Sequence, residues 1–337
     1  MTIQSTISSA QRLWNDRKMM KVRKVIRRIG GLLIRGVFLL GFSFIILYPI
    51  ISMISRVFMQ QGDLFDNTVV WIPKHFTLDN LRFAIEAMKY STTLPNTVIV
   101  SVLCTLFQTV MCMLVGYGFA RFEFPLKKLF FALVILTILI PPQALMIPMF
   151  LQFRNFDVFG LITLFYGQPV PLLETHWPYL LLSLGCQGIR NGLFIFMFRQ
   201  SFRGMPKETE EAARVDGAGV LRTFAQIMVP NAITIITTVA LFGFVWQWND
   251  SFYTGLFSSG GSMLSTAYES FTQNLALLAD SAEDTGLGSM LYDLSNTRVV
   301  SLLKNSAVFL VMTPLMLVYA LAQRAFVESV ERSGLVG

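Results

Sequence analysis

An all-α, polytopic membrane protein with six transmembrane helices and one amphipathic cytoplasmic helix is the fold class that three observations predict. Hydrophobic residues make up 54% of the 337-residue chain, charged residues only 14%, and mean hydropathy is +0.58, whereas a soluble domain keeps about a quarter of its residues charged. Six apolar windows are long enough, at about 20 residues each, to cross the hydrocarbon core as helices. Between the fourth and fifth lies a charged, amphipathic stretch that belongs in water.

The windows fall at about 32–57, 93–119, 129–152, 177–198, 230–256 and 303–323. Ahead of the first is a basic run of Arg12, Arg17, Lys18, Lys21, Arg23, Lys24, Arg27 and Arg28. This window is too long for the apolar core of a signal peptide, and no clear small-residue cleavage site follows it, so it is expected to stay as an anchor. Residues 1–30 are read as a basic cytoplasmic tail and 31–337 as one transmembrane domain. With both ends in the cytoplasm, the inner segments carry nineteen of the 27 Lys and Arg residues. The outer segments and the spans then hold the remaining eight, with twelve of the 20 acidic residues. That asymmetry obeys the positive-inside rule.

Three longer segments, about 58–92, 153–176 and 257–302, then face outward. Trp71, Trp177, Trp246 and Trp248 fall at predicted outer boundaries, as membrane aromatic belts do. The last outer segment holds Asp280, Glu283, Asp284 and Gly286-Leu287-Gly288, polar enough for an ordered loop, short helices or a flexible insert.

Several function classes lose support. The pI near 9.4 does not signal nucleic acid, because the basic residues collect in the tail and in alternate loops without an aromatic-interleaved basic run. Cys104, Cys112 and Cys186 lie in or beside apolar segments with no C-x-x-C pair, which predicts buried free thiols. His75 and His176 are far apart in the chain, so no metal site is expected. The spans lack the Asp, Glu or His relays of proton-coupled transporters, and Arg190 is the one clear mid-span charge. A G-x-x-x-x-G-K-[ST] phosphate loop does not occur, so the chain has no ATP-binding motif.

The charged stretch, about 205–222, has the marks of a helix on display. Pro206 suits a first helical turn, and Glu208, Glu210 and Glu211 place negative charge at the positive end of the helix dipole. Ala212 and Ala213 make a small face open to close approach, and Gly217 lets the backbone turn. Glu-Ala-Ala alone favours an ordinary interfacial helix.

The full pattern is more specific. Glu211-Ala212-Ala213, then Gly217, Ile227, Val229 and Pro230, resembles the EAA loop of ABC importer permeases of the carbohydrate type, with Val229 in place of the usual leucine. Supporting matches are Gly116-Tyr117-Gly118-Phe119-Ala120-Arg121-Phe122, Phe124-Pro125, Ile140-Pro141, Ile147-Pro148, Arg199-Gln200, Trp248-Asn249-Asp250 and Ser333-Gly334. The resemblance covers about residues 35–337. Leu126 departs from it where glycine is frequent, and the tail and the outer segments around 155–176 and 257–302 are longer than the common core.

The resemblance implies a type I importer permease in a prokaryotic inner membrane, with no catalytic residue and no cofactor of its own. ATP with Mg would sit on two separate ATP-binding cassette ATPase subunits. Further partners would be a second permease, usually a different chain, and an extracytoplasmic solute-binding protein, and the cargo would be a sugar or oligosaccharide. Residues 205–222 would be the coupling helix, with Glu211 making a polar contact to the ATPase, Ala212 and Ala213 packing, and Gly217 turning the chain toward Ile227 and Pro230.

A sugar needs aromatic faces to stack on and amide or guanidinium groups for its hydroxyls. Gln187, Arg190 and Asn191 supply such groups inside the fourth window, where Gly185, Gly188 and Gly192 would let the helix break. An intramembrane arginine is a functional candidate, although one that snorkels or pairs with a carbonyl fits the sequence equally well. Trp246, Trp248 and Asn249, beside Asp250, lie near the outer end of the fifth window, as gate residues or interface anchors. Gly116 and Gly118 are expected to serve close helix packing. Two rival classes stay open: a stand-alone secondary transporter or channel, which would need inverted repeats or a charged relay, and a membrane enzyme, for which Glu208, Glu210 and Glu211 form the only acidic cluster near an interface.

Overall fold

The computed structural model describes residues 3–275 and 294–334, with side chains described for 28–275 and 294–323. Asp280, Glu283, Asp284 and 286–288 lie outside the described residues, as do the side chains of the basic run before Arg28 and of Ser333. The described chain is helical, and its extended pairings are two isolated antiparallel bridges, Met59 with Phe76 and Phe156 with Val170. It divides into two compact units, Met1–Thr77 and Leu78–Gly337.

In the first unit, α1 (Ile3–Val57) makes the tail and the first window one continuous helix. Large apolar side chains stand exposed all along its middle, from Leu32 and Leu33 through Phe38 and Leu40 to Ile46. A helix that is apolar all round and unburied needs lipid as its solvent. After it the chain folds back on itself: the Thr77 N–H donates to the Phe58 carbonyl at 3.0 Å, and the Phe58 and Phe76 rings stack at 5.1 Å. Buried Asp63 accepts the His75 N–H and meets the His75 ring Nδ1, both at 2.8 Å.

The second unit is organised on α3 (Tyr90–Arg121), which follows α2 (Asp79–Ala87). Its buried face carries Thr93, Thr97, Ser101, Thr105, Gln108, Cys112 and Gly116, while Val98, Val102, Leu106, Val110 and Leu114 are exposed. This small-and-polar-inside pattern inverts that of a soluble helix. Where lipid is as apolar as leucine, helices associate through close approach and internal hydrogen bonds. Thr97 Oγ1 accepts the buried Leu264 N–H at 2.9 Å, and Asn96 Nδ2 donates to the Ser262 carbonyl at 3.0 Å, which ties the later chain to α3. Thr97→Val would leave that N–H unpaired, and the expected cost is about 1–3 kcal/mol. A lowered melting temperature of the purified protein in detergent is the check, and an unchanged one would show that the bond adds nothing.

Three windows are continuous helices and three are broken. Residues 28–57, 90–121 and 297–323 are each long and apolar enough to cross a membrane, and two bent pairs bring the number to five if each pair is one span. In the third window α4 (Lys127–Leu139) and α5 (Met146–Arg154) meet at 102° through a 3-10 turn, Pro142–Leu145. Pro141 and Pro142 cause this: they donate no N–H, and proline pushes the preceding residue to extended backbone, as at Ile140. Next comes α6 (Leu161–Tyr166), whose start is fixed by Asp157 accepting the Ile162 N–H at 2.8 Å.

The fourth window is two helices, α7 (Trp177–Leu184) and α8 (Asn191–Gly204). The interruption at 185–190 falls at Gly185 and Gly188, as their spacing predicts, and Gly192 lies inside α8. In the fifth, α10 (Val220–Thr223), a π-turn (Phe224–Met228) and α11 (Val229–Asn231) bend by 77° into α12 (Ile233–Trp248). Pro230 cannot bond the Gln226 carbonyl one turn back, and Asn231 Nδ2 takes the Ile227 carbonyl at 2.9 Å. The 230–256 window ends early: Asn249 interrupts it before α13 (Phe252–Phe257), which precedes α14 (Leu264–Gln273) and the last helix, Thr297–Gly334.

Candidate coupling segment and membrane cavity

The charged stretch holds a helix shorter than 205–222. Its helix α9 spans Glu208–Val215, with Pro206 ahead of it. Gly217 ends it at φ +78, where the Ala218 N–H reaches the Ala213 carbonyl at 2.9 Å and the Gly217 N–H the Arg214 carbonyl at 3.0 Å. That pair of bonds is a Schellman stop, which favours glycine at the left-handed residue.

Neighbouring glutamates on α9 point in different directions, since one residue is about 100° of helix rotation. Glu211 and Ala212 are exposed. Glu210 and Ala213 are buried. Glu210 Oε1 lies 2.9 Å from Arg121 Nε, with the two side chains only 7% and 5% exposed, and Oε2 lies 3.9 Å from Arg214. Arg121 Nη2 also donates to the Met205 carbonyl at 2.8 Å. One guanidinium at the end of α3 thus holds both the entry to α9 and its first turn.

Rings complete the attachment. Tyr117 packs on Phe224 at 4.8 Å and on Phe202 at 5.4 Å, joining α3 to α8 and to the π-turn. The small-residue pair therefore divides, with Ala213 packing inside the chain and only Ala212 facing out. The anchors beyond Gly217 are buried Phe224 and Met228, whereas Ile227 is half-buried and Pro230 exposed. Arg121 and Glu210 both belong to stretches singled out in the sequence, but nothing in the sequence pairs them. The outward surface combines Glu211 and Ala212 with Val215, 87% exposed, and Leu221.

The three span breaks meet at a cavity of about 680 Å³. Its wall includes Pro141 and Gln143 from the α4–α5 elbow, Gln187, Arg190 and Asn191 from the α7–α8 break, and Asp250 and Tyr253 after α12. Irregular backbone at membrane depth is tolerated where it lines a cavity or is buried in protein. Gln187, Arg190 and Asn191 are therefore brought together. The Arg190 guanidinium lies 5.6 Å from the Trp246 ring centroid, and Trp246 stacks with Phe194 at 5.4 Å and Phe242 at 5.5 Å. Asp250 accepts the Thr254 N–H at 2.8 Å and its hydroxyl at 3.0 Å.

Two residues read as gate candidates are placed elsewhere. Trp248 is buried, and its Nε1 donates to the Val311 carbonyl at 3.2 Å, a tie between α12 and the last helix. Asn249 closes the end of α12 by donating to the Val245 carbonyl at 2.8 Å. Neither lines the cavity, nor does Trp246, whose link to it is the contact with Arg190. Among the described residues no group of three or more His, Cys, Asp or Glu is placed to hold a metal ion.

Residues 112–332 match the family model described as "Binding-protein-dependent transport system inner membrane component". Similar proteins include the arabinooligosaccharides transport system permease protein AraQ of Halalkalibacterium halodurans, 28% identical over 62% of this chain and 69% of that one. The diacetylchitobiose uptake system permease protein NgcG of Streptomyces coelicolor is 25% identical over 87% and 85%. A solved bacterial ABC transporter involved in import of the acidic polysaccharide alginate shares the fold, with a TM-score of 0.68, 21% identity, and coverage of 88% of this chain and 96% of that one.

Proposed function

We propose a cargo and a coupling route from one premise: the chain belongs to the family of binding-protein-dependent transport system inner membrane components. It is a permease subunit of an ABC importer and not itself an enzyme, and its family works with an ATPase, a second permease and a solute-binding protein. The cargo is a sugar or oligosaccharide. Relatives named for arabinooligosaccharides and diacetylchitobiose support this, as do the amide, guanidinium and aromatic groups gathered at the cavity. Two ATPase subunits carry the ATP and Mg, the second permease is a different chain, and both termini of this one lie in the cytoplasm.

The observation that carries the coupling route is the division of α9 into an outward face and an anchored face. Glu211, Ala212 and Val215 present charge and apolar surface to the ATPase. Glu210, held by Arg121, passes the displacement of α9 to α3. Packed elements switch between discrete positions rather than deforming continuously, so a shift of α9 moves the C-terminal end of α3 as a body. Gly217 and the π-turn supply the corner through which Ile227 and Pro230 connect α9 to α12. A stand-alone secondary transporter is not favoured by the family match.

Glu211→Lys tests the route, because an exposed residue can change sign without disturbing the fold. Tagged wild-type protein from native membranes is expected to retain an ATP-hydrolysing subunit in mild detergent. The variant should retain at least about tenfold less, about 1.4 kcal/mol of interface. Equal retention with equal transport would remove Glu211 from the interface, and wild type without any ATPase would sink the coupling argument.

A further inference from the structure

We infer that the cavity at the span breaks receives an anionic group of the cargo, a carboxylate or phosphate on a hydroxylated body, with Arg190 and Asn191 as its ligands. This rests on the permease function proposed above.

Arg190 stands about nine residues before Arg199 at the inner edge, some 13 Å at the helical rise, which is close to mid-membrane. A charge there costs several kcal/mol unless it is paired. Among the described residues no carboxylate pairs with Arg190 and no hydrogen bond reaches its guanidinium; its described contact is the Trp246 face. It does not snorkel into lipid either, because it lines the cavity. The backbone holds it there at φ +59, a conformation that favours glycine.

Asn191 is 2% exposed, and neither its amide nitrogen nor its amide oxygen has a protein partner. An unmade hydrogen bond on a buried group is a real cost. An exposed guanidinium without an ion pair and a buried amide without a partner therefore stand side by side on one wall, in a cavity of ligand size. A neutral sugar would satisfy the amide and leave the guanidinium as it is. A carboxylate or phosphate meets the planar fork of arginine with two parallel bonds, and Asn191 and Gln187 are left for hydroxyls. Asp250, the carboxylate on the same wall, is committed to the Thr254 N–H and hydroxyl.

The test uses the complete importer purified with its ATPase, and co-purification of that subunit is read before any ligand is added. Its failure would count against the permease function and not against the anion. Binding of digalacturonate, glucose 6-phosphate and neutral cellobiose is then followed by tryptophan fluorescence, to which Trp246 reports from beside Arg190. The wild-type complex is expected to bind one of the two anions at least about tenfold more tightly than cellobiose. Arg190→Gln should weaken that anion about 30-fold or more, with cellobiose unaffected, and Arg190→Lys should recover part of the loss. Digalacturonate alone assigns a carboxylate, and glucose 6-phosphate alone a phosphate. Wild type that prefers neither anion overturns the proposal, as does an anion preference that survives Arg190→Gln. Should Arg190→Gln fail to assemble, the wild-type preference and the Arg190→Lys titration decide between the same two results.

Discussion

Arg121→Ala is expected to destabilise the second unit by about 3–5 kcal/mol, the cost of leaving a buried partner charge alone, and to sever ATP hydrolysis from uptake. The substitution strands the Glu210 carboxylate, 7% exposed, with only Arg214 at 3.9 Å and removes the donor to the Met205 carbonyl. Glu210→Gln strands the guanidinium in the same way but keeps an acceptor near it, so its loss should be smaller. Replacing both residues by methionine separates stability from coupling. A buried ion pair exchanged for apolar groups of similar size is often neutral or stabilising, so the double variant should regain much of its melting temperature. It should not regain uptake, because the tie between α9 and α3 is then only apolar. Chemical denaturation in detergent gives the first quantity, and ATP-driven uptake by proteoliposomes the second. A double variant with wild-type uptake would show that the ring cluster of Tyr117, Phe202 and Phe224 transmits the motion alone.

This pair also shows where sequence reasoning ends. Proline and glycine act on their own neighbours, so the interruption at Gly185 to Gly188 and the stop at Gly217 are legible as local chemistry, whereas the break at Pro141 falls inside a window read as one continuous helix. The angles are not: 102° between α4 and α5 follows from what the rest of the unit packs against them. Arg121 and Glu210 are far apart in sequence and meet because α3 ends where α9 begins in space, which no local spacing encodes. The short EAA pattern emphasises Glu211 and Ala212, which are exposed, and skips Glu210, the residue that anchors the helix. Trp248 has the position of a belt tryptophan, but the Val311 carbonyl gives its indole N–H a buried partner, and a tryptophan so bonded has no need of the interface. Asn191 is legible as a polar residue at a break, whereas its lack of a partner depends on how α8 packs against the rest of the unit.

Gly116→Val should come close to Arg121→Ala in effect, for a steric reason. A Cβ at residue 116 would lie 2.6 Å from Phe198 Cβ, 3.0 Å from the Arg199 backbone nitrogen and 3.2 Å from the Ile195 carbonyl oxygen. None of these atoms is the free end of a side chain, so no rotamer change relieves the clash, and α3 and α8 must move apart. Overpacking of this kind costs about 1–3 kcal/mol for small insertions. Gly116→Ala should fall in that range, and the β-branched valine should exceed it. Gly118 is the internal control: both glycines read as packing residues in sequence, but a Cβ at 118 meets only Phe122 Cδ2 at 4.0 Å. Gly118→Ala should therefore be neutral or gain up to about 1 kcal/mol from the helix propensity of alanine. The displacement at 116 acts on function as well, because Tyr117 and Arg121 follow it on the same helix and hold Phe202, Phe224 and Glu210 in place. Melting temperatures of the two alanine variants, read beside the ATP cost of each solute imported, separate packing from coupling. Equal melting temperatures would place the close approach of α3 and α8 elsewhere, and a coupling loss at 118 equal to that at 116 would remove the geometric link to α9.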